Sequence, residues 1–221
     1  MRKFLKRMTG IFLCVAMAAG IYGAIPAYAE GTDTGTDIQA QAAQWPTGPA
    51  VQAASAIIMD ASTGTVLYEK DADTPRYPAS ITKIMTTLLA LENCNLDEMV
   101  HFSATAVYEN EGGTSHIARD LDEEMTLEQC LYGIMLESAN ECSYAVAEHV
   151  GGGDYQKFID MMNAKAAELG CTNTHFNNCN GLPDPAHVVS ARDMALISRE
   201  AIKNSMFRKI VGTVRYEIPP T

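Results

Sequence analysis

The chain has 221 residues, a length that allows one large domain or two small ones, and 47% of them are hydrophobic against 19% charged. A chain with this apolar content can bury a sizeable core, which excludes a mostly disordered protein. Sixteen Lys and Arg against 27 Asp and Glu give a net charge of -11, and this acidic excess argues against nucleic acid or an anionic membrane surface as a partner.

The N-terminal segment has the pattern of a secretory signal peptide. A basic start that includes Arg2 and Lys3 precedes an apolar run from about Ile11 to Ile25, and a small-x-small triplet ends at Ala29. The apolar run is shorter than the roughly 18 residues of a membrane span. We therefore predict a signal peptide over residues 1–29, cleavage after it, and export across the cytoplasmic membrane to the cell envelope. An uncleaved membrane anchor is the alternative.

The next segment has no regular apolar pattern. Residues 30–49 are rich in Gly, Thr, Asp, Gln and Ala, a composition typical of flexible linkers. We therefore predict a linker over residues 30–49 and a folded catalytic domain over residues 50–221.

The folded part is predicted to be a β-hairpin followed by a mainly helical region. Two short β-prone runs, residues 56–60 and 65–69, flank a turn that contains Gly64. Residues 211–218 are predicted to be extended. Helices are predicted from apolar spacing, capping residues and glycine stops at 80–92, 126–136, 140–150, 155–169 and 190–204.

The cysteines and histidines show no metal-binding pattern. Five cysteines follow the predicted signal peptide; their number is odd and no Cys-x-x-Cys occurs, so neither a complete disulfide framework nor a zinc site is indicated. One disulfide stays open as an alternative to free thiols. The five histidines form no His-Glu-x-x-His, and we expect most of them at the surface or at helix caps. These residues are Cys94, Cys130, Cys142, Cys171 and Cys179, and His101, His116, His149, His175 and His187.

A Ser-x-x-Lys motif, Ser80 to Lys83, lies at the start of the first predicted helix. Positions i and i+3 of a helix share a face, so the Lys83 amine can approach the Ser80 hydroxyl. A lysine that burial keeps neutral can take the serine proton and make its oxygen a nucleophile. The alternative is an N-cap serine followed by a surface lysine, and the motif alone does not exclude it.

A second motif, Ser138-Ala139-Asn140, lies in the turn between two predicted helices. The Ser138 hydroxyl could pass a proton to a leaving amine, and the Asn140 amide could hold a substrate carbonyl or Lys83. The alternative is that Ser138 simply ends one helix and Asn140 caps the next.

Together these motifs resemble the ordered signature of the penicillin-binding proteins and serine β-lactamases, Ser-x-x-Lys followed by Ser-x-Asn. Further segments make the chain most similar to the serine-type D-alanyl-D-alanine carboxypeptidases, the low-molecular-mass penicillin-binding proteins. The resemblance covers about Ala54 to Thr221 and implies an α+β fold of the β-lactamase/transpeptidase type. The segments are DASTG at 60–64, PASITKIMT at 78–86, LESANE at 136–141, AEHVGG at 147–152, NGLP at 180–183 and SARDMA at 190–195.

This resemblance implies acyl transfer at the cell wall. Ser80 would attack the carbonyl between the two terminal D-alanines of a peptidoglycan stem peptide, with Lys83 as general base. Ser138 would pass a proton to the leaving amine, and Asn140 would orient the substrate. β-Lactam antibiotics such as penicillins would acylate the same serine, and the scheme includes no metal and no organic cofactor.

The sequence departs from the family pattern at one point, since its 221 residues contain no Lys-Thr-Gly or Lys-Ser-Gly. In the family this motif lies on a sheet strand that binds the substrate carboxylate and supplies one N–H of the oxyanion hole. We therefore expect a truncated chain without the C-terminal sheet strands and with impaired activity, because the loss of one oxyanion donor costs about 10²- to 10³-fold in rate. A secreted serine β-lactamase and a non-catalytic cell-wall-binding remnant of the fold are the alternatives.

Overall fold

The structure is a computed structural model that describes residues 48–109 and 113–219. The predicted signal peptide and nearly all of the predicted linker lie outside the described residues, so both stay predictions. Among the residues described, no helix combines the length and the apolar character needed to cross a membrane.

The predicted hairpin is present at the start of the described chain. Strand β1 (Ala56–Met59) pairs antiparallel with β2 (Val66–Lys70). The turn between them is closed by Asp60, whose Oδ1 accepts hydrogen bonds from the backbone N–H groups of Ser62 at 3.0 Å and Thr63 at 2.7 Å. Hydrogen bonds from the Ser62 side chain and from Thr63 lower the pKa of Asp60 to about 2, so its carboxylate stays ionised and keeps these bonds.

The rest of the described chain is mainly helical, as predicted. The predicted helices near residues 80, 126, 140 and 155 are present, and the first of them begins with a single 3₁₀ turn, Ala79–Thr82. Two features are additional to the prediction: a short helix α2 and a second two-stranded sheet, β3 with β4. The elements are α1 (Lys83–Asn93), β3 (Met99–His101), α2 (Ala104–Tyr108), β4 (Glu124–Thr126), α3 (Leu127–Glu137), α4 (Asn140–Gly151), α5 (Tyr155–Glu168), α6 (Ala191–Ala201) and α7 (Ser205–Val211).

The helix predicted over residues 190–204 is present as α6, with Ser190 as its N-cap, and it ends at Ala201, three residues before the predicted end. Asn204 then begins α7, since its side-chain Oδ1 accepts hydrogen bonds from the N–H groups of Met206 at 2.8 Å and Phe207 at 3.2 Å. Helix α7 extends to Val211, and residues 212–219 are irregular, so the extended segment predicted at 211–218 forms no β-strand.

Two hydrophobic clusters form the core, on either side of the buried helices α1 and α4. One contains Met85, Phe158 and Phe176, and the other contains Phe102 and Leu131. All five side chains are fully buried. Helix α4 packs against α1, α3 and α5. Because α1 and α4 are fixed by packing on several sides, the residues at their N-terminal ends hold well-defined positions.

All five cysteines in the described part of the chain are free thiols. The disulfide that the sequence left open is therefore not formed in this structure.

Candidate active site

Ser80 lies in the 3₁₀ turn that leads into α1, and the residue before it has a strained backbone. Ala79 has a φ of +50°, which is uncommon for a residue with a Cβ. Conformations of this kind cost about 1–3 kcal/mol and persist only where the surrounding structure enforces them. Gly181 lies against this turn so closely that a Cβ added to it would be 1.8 Å from the carbonyl oxygen of Ala79. The loop that contains Gly181 thus supports the turn that carries Ser80.

Lys83 is buried, with 2% of its surface exposed. Its Nζ donates hydrogen bonds to Asn140 Oδ1 at 2.8 Å and to the backbone carbonyl of Asn180 at 2.8 Å, and it lies 3.4 Å from Ser80 Oγ. Burial lowers the pKa of Lys83 from its ordinary value to about 8, although Cys179 and Glu141 act in the opposite direction. About a tenth of the amine is therefore neutral at pH 7, and this form can accept a proton.

Ser138 ends α3 in the left-handed conformation, with a φ of +58°. This turn directs its hydroxyl to the first motif, where Ser138 Oγ donates a hydrogen bond to Ser80 Oγ at 2.9 Å. Two residues later, Asn140 begins α4 and is buried. Its amide does not cap the helix, since its Oδ1 accepts a hydrogen bond from Lys83. The structure thus brings together all four side chains that the two motifs singled out.

A buried histidine that the sequence did not single out connects the turn that carries Ser80 to the loop that contains Asn177 and Asn178. His187 is 1% exposed, so it is not one of the histidines expected at the surface. Its Nδ1 accepts hydrogen bonds from the N–H groups of Asn177 at 3.0 Å and Asn178 at 3.2 Å, which assigns the proton to Nε2. Nε2 then donates to Thr82 Oγ1 at 2.8 Å. Burial lowers the pKa of His187 to about 4, so the ring stays neutral and keeps this arrangement.

The donor set at this site favours acyl transfer over metal binding. Two hydroxyls, an amine and a carboxamide meet around Ser80, whereas metal ions in proteins favour carboxylate, imidazole and thiolate ligands. The Ser80 oxygen also lies close to the N-terminal end of α1, where the helix dipole stabilises developing negative charge. A hydroxyl with an adjacent neutral amine and a second hydroxyl can act as a nucleophile that exchanges protons with both neighbours.

The fold is similar to those of a solved DD-transpeptidase and a solved D-alanyl-D-alanine carboxypeptidase. The crystal structure of the Streptomyces K15 DD-transpeptidase superimposes with a TM-score of 0.70 at 36% sequence identity, covering 76% of this chain and 67% of that chain. The D-alanyl-D-alanine carboxypeptidase DacD from Francisella tularensis gives a TM-score of 0.68 at 34% identity, covering 75% of this chain and 40% of that chain. The chain therefore has an α+β fold of the β-lactamase/transpeptidase type, as predicted.

The family model of the S11 peptidases, described as D-alanyl-D-alanine carboxypeptidase, matches residues 39–218, and the chain belongs to this family. It is 39% identical over 164 residues to the D-alanyl-D-alanine carboxypeptidase DacF of Bacillus subtilis, covering 73% of this chain and 42% of the relative. It is 36% identical over 210 residues to the D-alanyl-D-alanine carboxypeptidase of Streptomyces sp. strain K15, covering 90% of this chain and 66% of the relative. The chain thus spans less than two thirds of either relative.

Proposed function

We propose that this protein is a serine-type D-alanyl-D-alanine carboxypeptidase that removes the terminal D-alanine from peptidoglycan stem peptides through an acyl-enzyme on Ser80. One observation carries the proposal: Ser80 Oγ lies 2.9 Å from Ser138 Oγ and 3.4 Å from Lys83 Nζ, in a chain of the D-alanyl-D-alanine carboxypeptidase family. Because the substrate lies outside the cytoplasmic membrane, we also infer that the protein acts in the cell envelope, in line with the signal pattern of residues 1–29.

Acylation follows from the positions of these groups. Lys83 takes the proton of Ser80, whose oxygen bonds to the carbonyl carbon between the two D-alanines. The bond from that carbon to nitrogen breaks, Ser138 passes its proton to the nitrogen of the departing D-alanine, and Lys83 gives the proton that it took from Ser80 to Ser138. Water then cleaves the Ser80 ester and releases the shortened peptide. Asn140 holds Lys83 within reach of Ser80 and contacts the substrate in the same pocket.

Turnover by these 221 residues is expected to be slow. The family pattern places one oxyanion N–H on the strand with the Lys-Thr-Gly motif, and no such motif occurs in this sequence. The backbone N–H of Ser80 is then the donor that remains, and a missing second donor lowers the rate by about 10²- to 10³-fold. We expect slow D-alanine release from a peptide that ends in D-Ala-D-Ala. Release as fast as that of an enzyme with both oxyanion donors would contradict this expectation.

Labelling with a fluorescent penicillin separates the proposed function from its alternatives. The lactam acylates the same serine, so the purified chain should carry a label that survives denaturing electrophoresis. The Ser80→Ala variant should carry none, and the Ser205→Ala variant, which removes an exposed serine of α7, should be labelled like the parent. A label that is lost within seconds to minutes would favour a β-lactamase, and a folded parent chain without label would favour a non-catalytic protein.

The rate of labelling should depend on pH through Lys83. The neutral amine is the form that accepts the proton of Ser80, and the pKa of Lys83 is lowered to about 8. The rate should therefore rise about tenfold for each pH unit below that value and level off above it. His187, whose pKa is lowered to about 4, should add no step between pH 5 and 8, where an ordinary histidine titrates. Labelling time courses at a series of pH values test this, and a rate that does not change with pH would contradict the role of Lys83.

A further inference from the structure

A second cluster of chemically reactive side chains lies at the other end of α1. Cys94 directly follows this helix, Glu98 directly precedes β3, and His149 lies in the last turn of α4. The cysteine Sγ, one carboxylate oxygen and one ring nitrogen of these residues all lie within 4.8 Å of one another. Because α1 has 11 residues, it separates this cluster from Ser80 by about 16 Å.

We propose that Cys94, Glu98 and His149 bind one Zn²⁺ ion or a similar divalent transition-metal ion. Thiolate, carboxylate and imidazole are the ligand types that Zn²⁺ takes from proteins, and three protein ligands with one water form an open zinc site. Tetrahedral bonds of about 2.0–2.3 Å place ligand atoms about 3.3–3.8 Å apart. The three atoms lie within 4.8 Å of one another, and Glu98 Oε2 and His149 Nε2, now 2.8 Å apart, must separate by about 0.5–1 Å to bind one ion.

The cluster is already oriented by neighbouring groups. One oxygen of Glu98, Oε1, accepts hydrogen bonds from the backbone N–H of Asn95 at 2.7 Å and from its side-chain Nδ2 at 2.9 Å. These bonds leave Oε2 directed at His149 Nε2, which lies 2.8 Å away. Hydrogen-bonded support of this kind fixes metal-ligating carboxylates and is common around metal sites.

Metal binding at this cluster is balanced by the release of one proton. Without a metal ion, an ordinary cysteine thiol keeps its proton at neutral pH. The ion displaces that proton to solvent and binds the thiolate. In the metal-free structure, His149 Nε2 donates a hydrogen bond to Glu98 Oε2. In the metal-bound form the ion would replace this hydrogen bond, with the ring proton on Nδ1 and the Nε2 lone pair on the ion.

Solvent reaches the cluster from the side of His149. This residue lines a cavity of about 480 Å³ together with Met99, His101, Ser103 and Glu148. Of the three cluster residues, His149 alone lines this cavity, so an ion would approach the cluster on the His149 side. The bound ion would join the segment between α1 and β3 to the end of α4. It should therefore stabilise the folded chain once the concentration of the free ion exceeds its dissociation constant.

Titration of the metal-free purified chain with Co²⁺, followed by competition with Zn²⁺, tests the proposal. We expect one bound ion and a near-ultraviolet absorption band from cobalt–thiolate ligation, and we expect Zn²⁺ to remove that band. Cys94→Ser should abolish the band, while Glu98→Gln and His149→Gln should weaken binding by about tenfold or more. The matched control is Cys171→Ser, since this half-buried cysteine lies outside the cluster, and it should bind like the parent chain.

The unfolding temperature of each variant, measured with and without Zn²⁺, is a second test that does not depend on any single variant. Zn²⁺ should raise the unfolding temperature of the parent and of Cys171→Ser, and it should have little effect on any folded variant of the cluster. The proposal is overturned if the parent binds neither ion. It is also overturned if the folded cluster variants bind Co²⁺ as tightly as the parent.

Discussion

Replacement of Lys83 by Met should slow acylation of Ser80 by about 10²- to 10⁴-fold, because it removes the general base. Met is similar in length and apolar, so it suits a position that is 2% exposed. The substitution leaves Asn140 Oδ1 and the carbonyl of Asn180 without their donor, which costs about 1–3 kcal/mol for each buried group. The removal of a buried amine offsets part of that loss. The measurement is the rate of labelling by a fluorescent penicillin.

The matched control for this prediction is Lys165→Met. Lys165 lies on α5, has 14% of its side chain exposed, and forms an ion pair with Glu92 at 3.0 Å. This variant likewise replaces a lysine that makes specific contacts, but it should label at the parental rate, since Lys165 does not contact Ser80. If Lys83→Met stays folded and labels as fast as the parent, another group must take the proton of Ser80.

Replacement of Gly181 by Ala should have the second large effect. The added Cβ would lie 1.8 Å from the carbonyl oxygen of Ala79 and 3.0 Å from Thr82 Oγ1, and Gly181 also has a φ of +86°. Strain at this φ and overpacking each cost about 1–3 kcal/mol, so the free energy of unfolding should fall by about 2–6 kcal/mol. The turn that carries Ser80 must shift to relieve the contact, so the labelling rate should fall as well.

The variant Gly170→Ala is the control that separates backbone strain from the collision with Ala79. Gly170 has a φ of +81°, but nothing lies within 4 Å of an added Cβ. The control therefore suffers the backbone strain without the collision and should keep the parental labelling rate. Urea unfolding and labelling of both variants provide the comparison. Equal losses of stability, with labelling unchanged in Gly181→Ala, would show that the contact with Ala79 does not support Ser80.

The features that the sequence predicted are those that depend on residues close together in the chain. The spacing of Ser80 and Lys83 places both on one face of a helix start, and a turn of one residue separates Ser138 from Asn140. The hairpin was likewise visible as two β-prone runs around a turn. In each case the deciding interactions lie within a few residues, so one segment of sequence contains enough information.

The features that escaped prediction depend on tertiary packing. His187 was not distinguishable from a surface histidine, because its partner Thr82 lies 105 residues away in the chain. The carbonyl of Asn180 reaches Lys83 across 97 residues, and a backbone group leaves no signal in the residue types. Likewise, no local spacing joins Cys94 and Glu98 to His149, which the packing of α4 brings to them.

The most direct test of the proposed site is a peptide map of the penicilloylated protein. After the chain reacts with penicillin and is digested, mass spectrometry should find the added mass on the peptide that contains Ser80, and fragmentation should assign it to that serine. An adduct assigned to Ser138 or to any other residue, with Ser80 unmodified, would contradict the account.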